Sequence, residues 1–277
     1  MQSASEWLFL KKEFPLEFFL KVGFLNNYTM IITHVKNLMK SLSTPLIPAL
    51  GNKIVLEQSR EQQMATFRLL EQVYFWLTGL AIVPVYVLAD SFIEMFLGTA
   101  FILPKALLAL MCVDLYAHIS QDVCLSFLTA NGIFRKRRNI SIGGAITNIV
   151  VSLLLMKPFG MAGILAGTAV SQIYYWVARS VVAFRDCLKQ DWKALAGYWL
   201  RQAGLLGIIV AAIAVSQIIT RQIFIMNEIV TFIINGVICE VCFCLLALIC
   251  CRGIRAQRQL EGIALGILRK CIHKLTR

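Results

Sequence analysis

The chain has 277 residues, of which 58% are hydrophobic, and it carries a formal net charge of +12. Soluble domains are usually about 45–50% apolar, so this composition is typical of a membrane protein. The positive residues cluster between apolar stretches, which is the pattern of cytoplasmic loops in membrane proteins rather than of a nucleic-acid-binding surface. Nucleic acid is therefore not an expected partner.

The N-terminal segment, residues 1–21, has scattered charges and is interrupted by Pro15, so it does not have the pattern of a secretory signal peptide. We expect it either to lie on the membrane surface or to be a degenerate spanning helix. The next helix is predicted over residues 24–50. Lys36 and Lys40 lie within it and are expected to face protein or water, because lysine in hydrocarbon is costly.

Apolar stretches of about twenty residues predict the other membrane spans, because that length crosses roughly 30 Å of hydrocarbon. Together with the first helix they give about seven spans, the others being residues 67–88, 104–134, 140–156, 161–182, 199–219 and 229–251. The predicted fold class is therefore all-α: a polytopic transmembrane helical bundle of about seven spans with a C-terminal amphipathic helix.

Charge and hydropathy predict four regions along the chain. They are an N-terminal segment (1–21), a membrane bundle (22–185), two additional transmembrane helices (186–251) and a basic amphipathic tail (252–277). Basic connections alternate with weakly charged ones, and basic connections usually face the cytoplasm. The C-terminus is therefore expected in the cytoplasm. The expected anchor on that side is a run of four basic residues: Arg135, Lys136, Arg137 and Arg138.

The tail has apolar residues at three- and four-residue spacing, including Leu260, Ile263 and Ile267, so these side chains share one helical face. Basic residues occupy much of the remaining surface. A helix of this kind is suited to an anionic membrane surface. The alternative is a solvated helix that docks on a partner.

The sequence contains no catalytic constellation, because a Gly-rich phosphate loop, a nucleophile motif and metal-ligand spacing are all missing. Cys239 and Cys242 have the spacing of half a metal or redox site, but no second pair completes it. Buried cysteine usually behaves as a small hydrophobic residue. Enzymatic activity, a cofactor and a metal ion are therefore not expected.

Polar residues inside the predicted spans are candidates for a transport path, because burying them in lipid is costly. Asp114, His118 and Asp122 are four residues apart and share one helical face, and Gln121 lies beside Asp122. Such a ladder of carboxylates and imidazole can relay protons or bind a cation. The alternative is a polar groove in which His118 pairs with a neighbouring carboxylate. Asn148 is a further candidate for the same path.

Small residues recur every four positions in the two helices on either side of a turn predicted at residues 157–160. Small side chains let membrane helices approach closely, so this pattern predicts a packing seam. The residues expected in the seam are Gly144, Ser152, Gly160, Gly163, Gly167 and Ser171.

Four motifs together resemble one known family. They are Asn27-Tyr28 with Gly51-Asn52, Phe92-Ile93-Glu94-Met95-Phe96-Leu97-Gly98, Asn148-Ile149-Val150-Val151-Ser152, and Phe159-Gly160-Met161-Ala162-Gly163-Ile164 with Gly167-Thr168 and Ser171. Over roughly residues 25–185, the chain resembles the polysaccharide-transporter branch of the multidrug/oligosaccharidyl-lipid/polysaccharide flippase superfamily. These are packing and turn motifs, so they indicate the fold better than the cargo.

The resemblance implies a protein of the bacterial inner membrane that moves lipid-linked sugar units during assembly of lipopolysaccharide O-antigen, capsule or exopolysaccharide. It also implies two six-helix lobes that rock around a central cavity, often followed by two extra helices. The chain has too few spans for both lobes and corresponds to the C-terminal lobe with the extra helices. Besides the lipid bilayer, the implied partners are lipid-linked oligosaccharide and either a first-lobe polypeptide or a second copy.

Two other functions stay open at this point. One is a lobe of a multidrug or cation antiporter, and the other is a truncated membrane fragment that transports nothing. The pair Asn27-Tyr28 and Gly51-Asn52 resembles the polysaccharide branch rather than drug exporters, whereas the other motifs concern helix packing and turns.

Overall fold

A computed structural model of the chain describes residues 16–45, 48, 51–53, 59–222 and 228–262. Within these ranges the regular structure is helical and contains no strand, which confirms the all-α prediction. Four predicted features lie partly outside the described residues: the N-terminal segment, the end of the helix predicted over residues 24–50, the connection between the last two spans and the tail beyond residue 262.

Helices follow one another closely along the chain. The main ones are α1 (Leu16–Ser43), α2 (Arg60–Leu97), α3 (Lys105–Ser120), α4 (Asp122–Ala130), α5 (Phe134–Phe159), α6 (Met161–Val182), α7 (Trp192–Thr220) and α8 (Glu228–Cys251). A 3₁₀ turn at Thr99–Phe101 follows α2, and a π-helical segment at Ala183–Cys187 follows α6. A further helix begins after α8 and is described over residues 255–262.

Five of the described helical stretches are long and apolar enough to cross a membrane: α2, α3 together with α4, α5, α7 and α8. The other two predicted spans, α1 and α6, do not meet that standard. Lys36 and Lys40 lower the hydropathy of α1, and Gln172 lowers that of α6. The count of seven spans therefore stays a prediction.

The helix α2 is longer than the span predicted at residues 67–88. The hydroxyl of Ser59 accepts a hydrogen bond from the backbone N–H of Gln62 at 3.2 Å, which caps the helix before Arg60. Its other end is set by Gly98, whose φ of 96° is unfavourable for other residues. The helix therefore extends into the connections predicted on both sides of residues 67–88. Its ends are set by the caps at Ser59 and Gly98 and not by local composition.

The span predicted over residues 104–134 is present as one apolar stretch, Lys105–Ala130, in which only Gln121 interrupts the helix between α3 and α4. This residue keeps helical angles (φ −73°, ψ −18°), so α4 continues directly from α3. A sharper turn follows at Gly132, whose φ is 71°. The next helix begins at Phe134, which places the basic run from Arg135 onward inside α5 and not in front of a helix at residue 140.

The turn predicted at residues 157–160 is also too long. The helix α5 continues through Lys157 and Pro158 to Phe159, and the chain then reverses at Gly160 alone. The φ of Gly160 is 57°, so one glycine supplies the backbone conformation that the reversal needs. Likewise, the loop predicted before residue 199 shrinks to residues 188–191, because α7 begins at Trp192.

An aromatic cluster marks the core where α2, α4, the π-helical segment and α7 meet. The ring of Phe67 lies 5.2 Å from the rings of both Phe127 and Phe184, and 5.8 Å from the ring of Tyr198. These edge-on contacts bury all four aromatic side chains in the core.

The outer surface of the bundle is apolar. On α5 the exposed side chains include Ile146, Ile149, Leu153 and Leu154. An apolar surface of this extent is costly in water and favourable in hydrocarbon. This apolar surface is that of a membrane-embedded protein, although α1 also exposes polar side chains, including Asn26 and Asn37.

Candidate functional site

The helix α1 lies beside α3 and runs in the same direction. The hydroxyl of Tyr28 accepts a hydrogen bond from the backbone N–H of Leu103 at 3.3 Å, and about two turns later Lys36 contacts Asp114. Because both contacts advance along both helices, α1 accompanies α3 through the bundle. This places the polar residues of α1 at the same depth as the predicted ladder of α3 and α4.

One end of this helix pair is fixed by a carboxylate on α2. Tyr28 donates a hydrogen bond to Oδ1 of Asp90 at 2.7 Å, and Nζ of Lys105 lies 2.8 Å from Oδ2 of the same residue. Tyr28 belongs to the Asn27-Tyr28 motif of the sequence. In the structure, its role is to hold α1 against the ends of α2 and α3.

Asp114 is the first residue of the predicted ladder, and only 7% of its surface is exposed. Its Oδ2 lies 2.5 Å from Nζ of Lys36, so the carboxylate forms an ion pair with α1. Its Oδ1 is buried and has no hydrogen-bond partner among the described residues. The pairing compensates much of the cost of burying the charge and leaves one acceptor open.

His118 lies one turn further along α3 and is partly buried. Its described hydrogen-bonding neighbour is Gln172 on α6, and Nδ1 has no partner within the described part of the chain. The simpler prediction paired His118 with Asp114 or Asp122. None of the described hydrogen bonds joins His118 to either residue. An open imidazole nitrogen instead lies one turn from the open oxygen of Asp114.

Gln121 connects the ladder to α6. Its Nε2 donates to Oε1 of Gln172 at 2.7 Å, and its own Oε1 accepts a hydrogen bond from Nη1 of Arg179 at 2.8 Å. The side chain is only 1% exposed, so both bonds lie inside the protein. Gln121 sits at the junction of α3 and α4, which places this amide between the two carboxylates of the ladder.

Arg179 lies in the last turn of α6, where a long basic side chain often extends to the membrane surface. The guanidinium turns inward to Gln121 and lies 5.0 Å from the centre of the Tyr175 ring. Asp122, the last residue of the ladder, lies within electrostatic range of both Arg179 and Lys40. Each carboxylate of the ladder therefore has a basic residue from another helix near it.

The structure thus brings together four of the five predicted path residues in one polar network. It adds three residues that the sequence pattern did not assign to the path: Lys36, Gln172 and Arg179. Their types were visible in the sequence, as polar or charged residues inside or near apolar stretches. The signal that was missing is which helices face α3. The network combines carboxylates, cations and neutral hydrogen-bond donors, so it can bind a polar or charged ligand, or a proton.

Asn148 lies apart from this network. Its Nδ2 donates to Oγ of Ser171 at 3.1 Å and approaches Oγ1 of Thr168 at 3.5 Å. Both partners are on α6, so these bonds place Asn148 in the interface between α5 and α6. Its described contacts are those of a packing residue that links two membrane helices.

The small residues of α5 and α6 lie in the same interface. A Cβ atom added at Gly144 would clash with the ring of Tyr175, one at Gly163 with the backbone of Leu155, and one at Gly167 with Ser152. At Gly163 and Gly167 the backbones of the two helices approach too closely for a larger residue, whereas at Gly144 the neighbour is the Tyr175 side chain. The antiparallel seam thus runs from Gly144 to the turn.

Gly160 does not belong to that seam, although its spacing predicted so. A Cβ atom added there would have no neighbour within 4 Å. The residue lies between the two helices and supplies the positive φ of the turn. Spacing alone could not separate a packing glycine from a turn glycine so close to a helix end.

The basic run begins in the first turn of α5. Nζ of Lys136 lies 2.7 Å from Oδ2 of Asp186, and Nη1 of Arg137 donates to the hydroxyl of Thr129 at 3.2 Å. Arg135 and Arg138 are exposed. Two of the four side chains are thus held by the protein, and two project from this end of the bundle.

A second buried ion pair was not foreseen from the sequence. Glu71 on α2 is 4% exposed, and its Oε2 lies 2.8 Å from Nη2 of Arg201 on α7. Nε2 of Gln202 donates to Oε1 of Glu71 at 2.8 Å, and Tyr116 on α3 donates to the backbone oxygen of Gln202 at 3.1 Å. Opposite charges inside two apolar stretches are the signal that could have identified this pair.

The start of the tail docks on its own chain. Oε1 of Gln257 accepts hydrogen bonds from Gln72 and Trp76 of α2, both at 2.9 Å, and the side chain is buried. This contact lies near the junction with α8. The described part of the tail is therefore held by the bundle, while the rest of the predicted amphipathic helix lies outside the described residues.

The described residues include no group of three or more His, Cys, Asp or Glu side chains arranged to hold a metal ion. Comparisons of the chain with models of known protein families, with curated proteins and with solved structures find no match.

Proposed function

We propose that the chain forms one lobe of a transporter that moves lipid-linked oligosaccharide across the bacterial inner membrane. The observation that carries the proposal is the polar network of α1, α3, α4 and α6 inside a bundle with an apolar outer surface. Charged groups at this depth are costly unless they have a function or a partner. The motif resemblance adds the class of cargo, namely sugar units for O-antigen, capsule or exopolysaccharide.

In this proposal α1 and α6 cross the membrane as the sixth and seventh spans. The contacts of Tyr28 and Lys36 support this for α1, because they keep it beside α3, which is part of an apolar span. The seam with α5 supports it for α6, because the two helices remain in contact from Gly144 to the turn. Their lower hydropathy then reflects helices that are shielded from lipid.

The exposed face of α1 supports a water-filled cavity or a partner beside it. Asn26, Thr33, His34 and Asn37 are exposed on this helix, together with the apolar side chains of Met30, Leu38 and Leu42. Polar side chains in that position are unfavourable against lipid, so another lobe or water is expected there. A first-lobe polypeptide or a second copy of the chain would complete the cavity, and the two lobes would alternate access by rocking.

The orientation follows from the basic end of the bundle. Arg135 and Arg138 project from the start of α5, and basic residues are enriched on the cytoplasmic side of membrane proteins. We place this end in the cytoplasm. The tail begins after α8 and would lie on the same side.

A cation or drug antiporter is the second candidate, and one observation favours it. The open Oδ1 of Asp114 and the open Nδ1 of His118 lie one turn apart, which suits a coupled proton or cation. This feature is also compatible with an ion-coupled oligosaccharide transporter. The two functions differ in cargo, and cargo is accessible to experiment.

The proposal is tested by complementing a bacterial strain that lacks its oligosaccharide flippase. The chain is expressed alone and together with a first lobe, and surface polysaccharide is measured. We expect polysaccharide to return only when a second lobe is available, and the double variant Asp114→Asn with Asp122→Asn to abolish it.

The matched control is Glu61→Gln with Glu94→Gln, which removes two exposed carboxylates and should leave complementation intact. Normal polysaccharide export in the Asp114/Asp122 double variant would contradict the role of the network. Restored drug resistance in a drug-sensitive strain, without any effect on polysaccharide, would favour the antiporter.

A further inference from the structure

A cavity of about 280 Å³ opens between the end of α6 and the start of α7. It lies at the basic end of the bundle, since Asp186 in the neighbouring π-helical segment pairs with Lys136 of α5. The exposed indole of Trp192 also lies there, and tryptophan is enriched where membrane meets water. The cavity therefore sits at the level of lipid headgroups and not in the transport path.

The backbone around this cavity is unusual and well anchored. The segment Ala183–Cys187 is π-helical, a form often found at functional sites. Lys189 has a φ of 49°, which is unfavourable for a residue other than glycine. The N–H of Gln190 bonds to the carbonyl of Phe184 at 2.8 Å and holds the connection in this shape. The local strain is maintained by the fold and shapes the wall of the cavity.

The cavity has an apolar and a polar side. Val181, Phe184 and Leu195 form the apolar side, and Arg185, Gln190, Asp191 and Trp192 complete the lining. A lipid is amphipathic in the same way, with a polar headgroup followed by a glycerol and acyl chains. The apolar side suits the acyl end of such a molecule, and the polar side suits its headgroup.

The polar side carries one charge of each sign. Within the described part of the chain, the side chains of Arg185 and Asp191 form no ion pair or hydrogen bond that would neutralise them, whereas Asp186 is occupied by Lys136. Both are exposed at the cavity rim. A ligand with a phosphate and an ammonium group would satisfy both charges at once.

We infer that this cavity binds the headgroup of phosphatidylethanolamine. Arg185 receives the phosphate, Asp191 accepts hydrogen bonds from the primary ammonium, and the glycerol end of the acyl chains lies along Phe184 and Leu195. Trp192 is placed to contact the ammonium through its ring. The inference concerns a site separate from the polar network and does not depend on the cargo.

The charge pattern distinguishes this lipid from the other common phospholipids. Phosphatidylglycerol has the phosphate but no ammonium, so the carboxylate of Asp191 would stay unpaired beside an anion. Phosphatidylcholine has a trimethylated ammonium, which has no N–H to donate to Asp191. Preference for the primary amine is therefore the signature of the site.

The test uses the full chain, purified in detergent and mixed with equal amounts of the three phospholipids with identical acyl chains. Native mass spectrometry then counts the lipids retained. We expect phosphatidylethanolamine to be retained about tenfold over phosphatidylcholine, the factor given by a charge-assisted hydrogen bond. Equal retention of the two, or a preference for phosphatidylglycerol, would overturn the inference.

Two variants assign the effect to the cavity. Arg185→Ala should lower retention of phosphatidylethanolamine and phosphatidylcholine alike, whereas Asp191→Asn should remove the preference between them. Arg60→Ala is the matched control, because it removes an exposed charge outside both the cavity and the basic run of α5. An equal loss in Arg60→Ala and Arg185→Ala would show general charge attraction and contradict the site. Displacement of the lipid by an equal concentration of free phosphoethanolamine would contradict a contribution from the acyl chains.

Discussion

Lys36 of α1 and Asp114 of α3 form an ion pair in the interior of the bundle, with Nζ 2.5 Å from Oδ2. The two side chains are 22% and 10% exposed, so water screens the pair only in part. The contact connects a helix of limited hydropathy to one that is part of an apolar span. It gives Lys36 a partner at a depth where an unpaired lysine would be costly.

Replacing one partner of this pair should destabilise the protein more than replacing both partners with apolar residues. The variant Lys36→Met leaves the carboxylate of Asp114 unpaired, and the loss of one partner of a buried ion pair costs about 3–5 kcal/mol before discounting for partial exposure. The double variant with Asp114→Leu restores an apolar contact and should recover much of that stability. Thermal unfolding in detergent measures both.

The same two variants separate stability from transport. The double variant is expected to stay folded and to lose complementation, because the ladder has lost its first carboxylate. If the double variant were as unstable as Lys36→Met alone, the ion pair would not be the reason for the loss.

The inward hydrogen bond of Arg179 is expected to matter for transport. Replacing Arg179 by Lys keeps the positive charge but removes the planar group that reaches Gln121 and lies over Tyr175. We expect a loss of export at an unchanged level of protein in the membrane. Arg221→Lys, an exposed arginine after α7, is the matched control. Full export by Arg179→Lys would show that charge alone is sufficient.

The seam between α5 and α6 predicts opposite results for two Gly→Ala variants. Gly163→Ala pushes a methyl group against the backbone of Leu155 and should cost about 1–3 kcal/mol. Gly204→Ala on α7 has open space and should be neutral or stabilise the helix by up to ~1 kcal/mol. Unfolding in detergent compares the two directly. Equal stability of both variants would contradict the close approach of α5 and α6.

The pair of Glu71 and Arg201 predicts an asymmetry. Arg201→Ala leaves a carboxylate that is almost fully buried, whereas Glu71→Gln leaves a guanidinium whose side chain is 29% exposed and able to reach water. We therefore expect Arg201→Ala to lower stability more than Glu71→Gln. A larger loss in Glu71→Gln would mean that the hydrogen bond from Gln202, and not the charge of Arg201, holds the glutamate.

Sequence periodicity was sufficient to place Asp114, His118 and Asp122 on one face of a helix, and hydropathy was sufficient for the all-α class. The partners of these residues could not be predicted, since Lys36 and Arg179 come from helices distant in the sequence. The inward direction of the Arg179 side chain could not be predicted either, because position within a span gives depth and not direction.

Helix ends were missed for local reasons. The hydroxyl of Ser59 extends α2 toward its N-terminus, and Gly160 alone reverses the chain after α5. The average composition of a segment does not reveal the effect of one capping residue. The polar end turns of a capped helix therefore look like a loop in the sequence. Asn148 shows the same limit for function, because an amide in a span has the same sequence signal in a packing seam as in a transport path.

The most direct test of the proposed function is transport in vesicles that contain only the purified components. The chain is reconstituted with a first lobe, and movement of a labelled lipid-linked oligosaccharide across the bilayer is measured by its accessibility to an external glycosidase. The account predicts movement that requires both lobes and is lost in the Asp114→Asn, Asp122→Asn variant. Movement at the rate of protein-free vesicles in the wild-type assembly, or unchanged movement in the variant, would contradict it.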